Sequence, residues 1–229
     1  MKRKIYIRRL INLHKMKNLI AILTMASLVA LGGCKKGEED PFLSFSSRDS
    51  RLEGTWELTS GSMSITTLYR NQAPGSTASN TTIGTNTFDL NGTTAAYKYE
   101  ETVNDVVQDE ATYELPFVIS MTFDKNGTYV STFDGQRIGT NGTPKDVVQK
   151  SSGTWSWNND GKNKAGITLE QGGAGNEKDF ITGDFQLKKL SGSEMILVKN
   201  NSYSRQDITS QSIETYEDTE VAEMVMTKK

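Results

Sequence analysis

Histidine and cysteine are nearly absent from this chain of 229 residues: His14 is its single histidine and Cys34 its single cysteine. Both lie in an N-terminal region that we expect to be removed or modified. The remaining chain then has neither an imidazole nor a free thiolate. This excludes Ser-His-Asp and Cys-His catalysis and the ordinary zinc sites. We therefore predict no catalytic residue, no metal site and no cofactor, and a protein that is not an enzyme.

Acidic residues are absent before Cys34, whereas seven Lys and Arg residues are found there. An almost unbroken apolar run over residues 19–31 follows this basic start. The run is too short for a membrane-spanning helix, which needs about 20 apolar residues. A basic start, a short apolar core and small residues at its end are typical of a secretory signal. We predict a signal peptide over residues 1–33, with Met16 as an alternative start.

The residues Leu31-Gly32-Gly33-Cys34 resemble a bacterial lipobox, in which an invariant Cys follows Leu and two small residues. The resemblance implies that Cys34 begins the mature chain and binds it to the membrane through lipid. Glu38, Glu39 and Asp40 follow closely and resemble the export signal of Bacteroidota surface lipoproteins. The alternative is a solvated run of charge. We expect an outer-membrane lipoprotein, lipid-anchored and exposed at the cell surface.

The 196 residues from Cys34 onward carry 19 Lys and Arg against 28 Asp and Glu, a net charge of −9. This acidic balance argues against nucleic acid as a partner. A chain of this length fits one all-β domain. Residues 35–50 are charged, then Ser-rich, and would span ~50 Å when extended. We predict a lipidated Cys with a flexible tether over residues 34–50 and a folded domain over residues 51–229.

Short segments with apolar and polar residues in alternation, separated by Gly and Asn turns, fill the rest of the chain. Residues 117–123 form the clearest strand, and Asn126-Gly127 predicts a tight hairpin to a second strand over residues 128–133, because both turn residues tolerate positive φ. No long amphipathic helix stands out. The pattern predicts an all-β fold, an antiparallel up-and-down β-barrel of roughly eight to ten strands.

Two segments do not follow this pattern clearly. Asn71 to Thr87 is polar with little to bury, and we predict a long loop there. Ile213 to Thr227 fits a helical face and strand alternation equally well. We predict two strands with a turn near Asp218, because a closing sheet needs a partner for its remaining edge.

Gly54-Thr55-Trp56 resembles the start of a lipocalin, whose first strand begins with Gly, any residue and Trp. The order of residues 121–129, 152–157 and 185–190 also resembles lipocalin-like lipoproteins of Bacteroidota. The resemblance implies a lipocalin-like barrel closed at one end by Trp56, with an interior that holds a small ligand. The chain departs from the family in lacking a Cys pair and a clear second motif. A barrel filled by its own side chains is therefore the alternative.

Aromatic residues supply the candidate ligand contacts, Trp155, Trp157, Tyr97 and Tyr99. The two Trp residues share one strand face. If that face points inward, they belong to the core or line the interior; if outward, they form a platform that stacks on sugar rings. We favour the inward orientation, because large aromatic side chains dominate protein cores.

Five carboxylates lie close together in the sequence and are the last candidate residues: Glu100, Glu101, Asp105, Asp109 and Glu110. A glycosidase needs two carboxyl groups about 5–10 Å apart in a cleft. This run is typical of a turn or a frayed strand edge, so solvated charge is the preferred interpretation.

Three functions remain open. The resemblance favours a lipid-anchored barrel that binds a small apolar ligand or a cell-surface partner. The first alternative is a glycan-binding accessory lipoprotein that uses exposed Trp and Tyr. A carboxylate-based hydrolase ranks last.

Overall fold

The computed structural model describes residue 40 and residues 47–139, 141–158, 164–172 and 181–229. One short helix, α1, spans Arg48–Leu52. The strands of the described residues are β1 Gly54–Gln72, β2 Ser79–Asn91, β3 Thr94–Val103, β4 Val106–Phe123, β5 Thr128–Ile138, β6 Pro144–Trp157, β7 Gly166–Gln171, β8 Gly183–Leu190, β9 Glu194–Ile208 and β10 Ile213–Lys228.

The ten strands are antiparallel and follow one another in up-and-down order, and β1 closes the ring by pairing with β10. This confirms the predicted all-β, up-and-down barrel. Turns between successive strands alternate between the two ends of the barrel. We call the end that carries α1 and the carboxyl terminus the base, because the backbone N–H of Lys229 donates to Thr55 beside α1.

Strand β1 changes partner along its length. Its first residues, Gly54 to Glu57, pair with β4, and from Ser60 onward it pairs with β2 instead. The base is therefore a ring of eight strands. The β2–β3 hairpin joins the ring only beyond the base, so the ring there has ten strands. Because barrel diameter grows with strand number, the barrel widens toward the other end.

The core fills the eight-stranded base. Trp56, Phe123 and Phe185 are fully buried there. Helix α1 covers the base from below, with Ser47 as its N-cap. The indole N–H of Trp56 donates to the carbonyl of Leu52 at 2.7 Å. Trp56 thus packs as the core plug that the sequence predicts, held to the helix that closes the barrel.

The predicted domain start at residue 51 falls inside α1. Arg48 and Arg51 are buried against the base, and the cap at Ser47 belongs to the same helix. The fold therefore begins earlier than predicted, because a short charged helix carries no apolar periodicity that would reveal it.

The long loop predicted over Asn71 to Thr87 is wrong. Strand β1 continues to Gln72 and β2 starts at Ser79. The two strands pair without a register shift, from Gln72 opposite Ser79 to Ser60 opposite Asn91. Thr and Asn side chains bury little, but backbone pairing with a long neighbouring strand is sufficient to order this hairpin. The turn near Asp218 is also wrong, because β10 runs unbroken and pairs on both sides, with β1 and β9.

The hairpin predicted at Asn126-Gly127 is confirmed, but its turn geometry differs. Gly127 alone of the two has a positive φ, +82°, and the side chain of Asn126 accepts a hydrogen bond from the N–H of Thr128 at 3.1 Å. Two successive positive φ angles, the signature of a type I′ turn, occur at Asn104 (50°) and Asp105 (65°) instead.

Candidate functional site

A cavity of about 310 Å³ lies inside the barrel above the packed base. Most of its walls are apolar side chains from six neighbouring strands, β10 and β1–β5. The lining residues are Met63, Ile65, Phe88, Leu90, Ala95, Tyr97, Leu115, Phe117, Ile119, Phe133, Gln136, Arg137, Ile138, Ala222 and Met224.

Small residues at inward positions create this space. Ala95 belongs to one row of paired residues across β10, β1, β2, β3 and β4, and Ala222 lies in the next row. The base has Trp and Phe at its inward positions, whereas each of these two rows has one position that places only a methyl group inside. The widening from eight strands to ten adds room at the same height. Both effects leave the interior unfilled.

The mouth of the cavity has polar groups on the β5 side. Gln136 and Arg137 line it, and the guanidinium carbon of Arg137 lies 4.6 Å from the ring centroid of Phe133. Gln136 donates to the carboxylate of Asp146 at 2.9 Å. A ligand whose apolar part fills the cavity would therefore place its other end among hydrogen-bonding groups.

Tyr97 is the predicted site residue that reaches the cavity. Its ring lies 4.7 Å from that of Phe88, and its hydroxyl donates to the amide oxygen of Asn86 at 2.6 Å. Burial raises the pKa of Tyr97 above its ordinary value. Tyr99 lies one inward position higher; its hydroxyl donates to Glu101 at 2.7 Å. That hydrogen bond is the main reason its pKa is raised to about 12.

Six strands extend beyond the mouth as a sheet that we call the wall, formed by residues 66–72, 79–85, 100–110 and 202–219. On its inner face, the rings of Tyr69 and Tyr216 lie 4.9 Å apart. The hydroxyl of Tyr216 donates to Glu214 at 2.8 Å, which raises the pKa of Tyr216 to about 12. The inner surface thus changes from apolar in the cavity to tyrosine and carboxylate in the wall.

Trp155 and Trp157 point inward, as favoured from the sequence, but they lie near the base and do not line the cavity. Both are half-buried against the core, with their rings 5.6 Å apart and nearly perpendicular. The indole of Trp155 donates to the carbonyl of Asp124 at 2.9 Å, and that of Trp157 to the carboxylate of Asp49 at 2.7 Å. Perpendicular, hydrogen-bonded rings do not form a flat platform for sugar stacking.

A buried charge cluster lies at the base. Asp40, Arg48 and Arg51 are each about 5% exposed, at 5%, 4% and 6%. One carboxylate oxygen of Asp40 accepts hydrogen bonds from the backbone N–H of Leu190 at 2.7 Å and from Arg48 at 3.2 Å. Burial is the main reason that the pKa of Arg48 is lowered. The third residue of the predicted export signal is therefore part of the fold.

The other residues of the predicted anchor, Cys34, Glu38 and Glu39, lie outside the described residues, as does the predicted signal peptide over residues 1–33. The carboxylate run forms the tip of the β3–β4 hairpin, where Glu100 pairs with Glu110 and Glu101 with Asp109. This tip belongs to an open sheet and not to a cleft, so the geometry offers no support for a hydrolase. Within the described ranges, no three Asp, Glu, His or Cys residues are placed to hold a metal ion.

Sequence reasoning missed the location of the cavity. The signal that could have found it is the pair of small residues at inward positions, Ala95 and Ala222. That pair becomes visible only when the strand register is known, because the two residues are far apart in the sequence.

No helix in the described part of the chain is long and apolar enough to cross a membrane. No protein-family model matches the sequence. Comparison with curated proteins and with solved structures also found no match.

Proposed function

We propose that the protein is a lipid-anchored binding protein of the outer membrane, whose barrel holds the apolar part of a small amphiphilic ligand. The cavity carries this proposal. Its volume of about 310 Å³ lies at the lower end of the range of small-molecule sites, roughly 300–1,000 Å³. Apolar walls with a few polar groups at one end are the usual form of such sites.

The lipobox residues and the lipocalin-like motifs support the same proposal from the sequence. A lipid on Cys34 would hold the barrel at a membrane, and an apolar cavity suits ligands that are themselves poorly soluble in water. The amphiphile's hydrocarbon part would be buried against Met63, Leu115 and Met224, with its polar end near Gln136 and Arg137. Burial of the hydrocarbon would supply most of the affinity, at about 0.8 kcal/mol per CH₂ group.

Native mass spectrometry tests the cavity directly. The Cys34→Ala protein, produced in the periplasm of its own host, is expected to carry a stable added mass. In Ala222→Phe the new ring fills the cavity, so the added mass should be lost while the barrel stays folded. Val221→Phe is the matched control, because Val221 is exposed on the opposite face of the same strand and should leave the added mass in place. A bare mass in all three proteins would contradict the proposal.

The proposed lipid attachment at Cys34 is tested by membrane fractionation. Cys34→Ala should abolish retention in the membrane fraction, so that washing without detergent releases nearly all of the protein. A single saturated acyl group already gives measurable membrane binding, and several give a stable anchor. Cys34→Ala protein that stays in the membrane until detergent is added would show that another part of the protein is the anchor.

The tyrosines of the wall favour one second candidate, a glycan ligand. Tyr69 and Tyr216 present neighbouring rings on the inner face, with Asn71 and Glu214 beside them as hydrogen-bonding groups. Loss of the added mass in Tyr69→Ala/Tyr216→Ala but not in Ala222→Phe would favour the glycan over the amphiphile.

A further inference from the structure

The polypeptide is fastened to the base of the barrel well before the folded domain predicted from the sequence. Asp40 binds the backbone of Leu190, 150 residues later in the sequence, and forms an ion pair with Arg48 at 3.1 Å. Arg51 donates to the carbonyl of the same Leu190. Asp40 is 5% exposed, so this attachment lies inside the fold and not on its surface.

The attachment shortens the free part of the tether. Six peptide units separate Cys34 from Asp40, and they span at most ~20 Å. The tether predicted over residues 35–50 would span ~50 Å. If Cys34 carries the lipid, the base cannot lie farther than ~20 Å from the membrane surface.

The cavity mouth lies at the opposite end of the barrel. Asp40, α1, the β8–β9 turn and the carboxyl terminus meet at the base, where the N–H of Lys228 donates to Ser193. The wall and the mouth are at the far ends of β1 and β10, which are 19 and 16 residues long. With about 3.3 Å per residue and a tilt near 40°, the two ends are ~40 Å apart.

Charge favours the same orientation. The wall carries nine Asp and Glu against two Arg, a net charge of −7, out of −9 for all residues from Cys34 onward. At the base, acidic residues pair with lysines, as Glu53 does with Lys125 at 3.2 Å. An anionic lipid surface repels the wall and not the base.

We propose that the base of the barrel is a membrane-facing surface, held against lipid headgroups by Asp40, and that the cavity mouth faces away from the membrane. The proposal rests on the lipid at Cys34 proposed above. The ligand then enters from the solvent side and does not slide directly out of the bilayer to which the protein is attached.

Fluorescence quenching on vesicles tests this orientation. Cys34 is the single cysteine and is occupied by lipid, so one introduced cysteine can be labelled selectively. The lipidated protein is labelled either at the base, in Lys125→Cys, or in the wall at the β9–β10 turn, in Gln211→Cys. The vesicles contain phosphatidylglycerol and a headgroup-linked quencher. We expect strong quenching at position 125 and little at position 211; equal quenching, or the reverse order, would overturn the proposal.

Two changes test the role of Asp40. Asp40→Ala should reduce quenching at position 125, because the free tether becomes longer, whereas Asp207→Ala, which removes an exposed ion pair in the wall, should not. An insertion of twelve Gly and Ser residues after Glu38 leaves Asp40 and the fold unaltered and should reduce quenching in the same way. Unchanged quenching in the insertion variant would overturn the proposal. Failure of the unaltered protein to bind vesicles would instead contradict lipid attachment, so the two failures are distinguishable.

Discussion

Replacing Trp56 with alanine is expected to lower the free energy of unfolding by about 3–5 kcal/mol, as is usual for a buried Trp. Trp56 is 0% exposed, so its replacement leaves a cavity in the base that neighbouring side chains fill only in part. The loss is a large part of the roughly 5–15 kcal/mol that stabilises a typical domain. Urea unfolding of the Cys34→Ala protein, with and without Trp56→Ala, measures it.

Trp56→Phe separates packing from the polar contacts of the indole. Phenylalanine keeps most of the apolar volume but cannot donate to the carbonyl of Leu52, and it weakens the interaction with the ammonium of Lys228, which lies 5.3 Å from the ring. We expect a loss of about 1–2 kcal/mol, mainly from the carbonyl left without its donor. If Trp56→Ala and Trp56→Phe cost the same, the hydrogen bond and not the packing would dominate.

The fold class could be predicted from the sequence because strand alternation and turn residues are local signals. The 117–133 hairpin shows this, since its two strands and its turn are adjacent in the sequence. The extent of β1 and β10 could not be predicted in the same way. In the wall, Thr66 pairs with Thr219 on one side and with Thr85 on the other. This pairing orders all three residues, and none of them is apolar enough to reveal the strand from the sequence.

The candidate site was predictable only in part. Tyr97 was selected because it alternates with polar neighbours, and it does line the cavity. Trp155 and Trp157 carry the same kind of signal but lie near the base. Whether an inward aromatic residue lines the cavity depends on its height along the barrel axis. That height is determined by the strand register and not by the local sequence pattern. The role of Asp40 could not be predicted either, because its partner Leu190 is remote in the sequence.

The burial of Asp40 also bears on the export signal predicted for Glu38, Glu39 and Asp40, which follow the predicted lipobox. Its carboxylate is occupied by Leu190 and Arg48, so an export factor that reads free carboxylates would have only Glu38 and Glu39 to recognise. Asp40 and the two glutamates would then have different functions, the first in the fold and the others in export.

Gly153→Ala is expected to destabilise the barrel by about 3 kcal/mol, at the upper end of the cost of overpacking. Gly153 pairs with Tyr129 on one side and Gln171 on the other. A Cβ atom at this position would lie well inside van der Waals distance of the carbonyl oxygen of Glu170, and 2.9 Å from a ring carbon of Tyr129. The oxygen belongs to the backbone of β7, so no rotamer change relieves the clash, and β6 must move away from β7.

Gly84→Ala is the matched control for this change. Gly84 also lies inside a strand, but no heavy atom lies within 4 Å of the position that its Cβ would take. Alanine there reduces the entropy of the unfolded state without a clash, so we expect no loss and a gain of up to about 1 kcal/mol. Midpoints of urea unfolding for the two variants therefore move in opposite directions. A similar decrease in both would mean that strand glycines matter here through backbone freedom, and not through the close approach of β6 and β7.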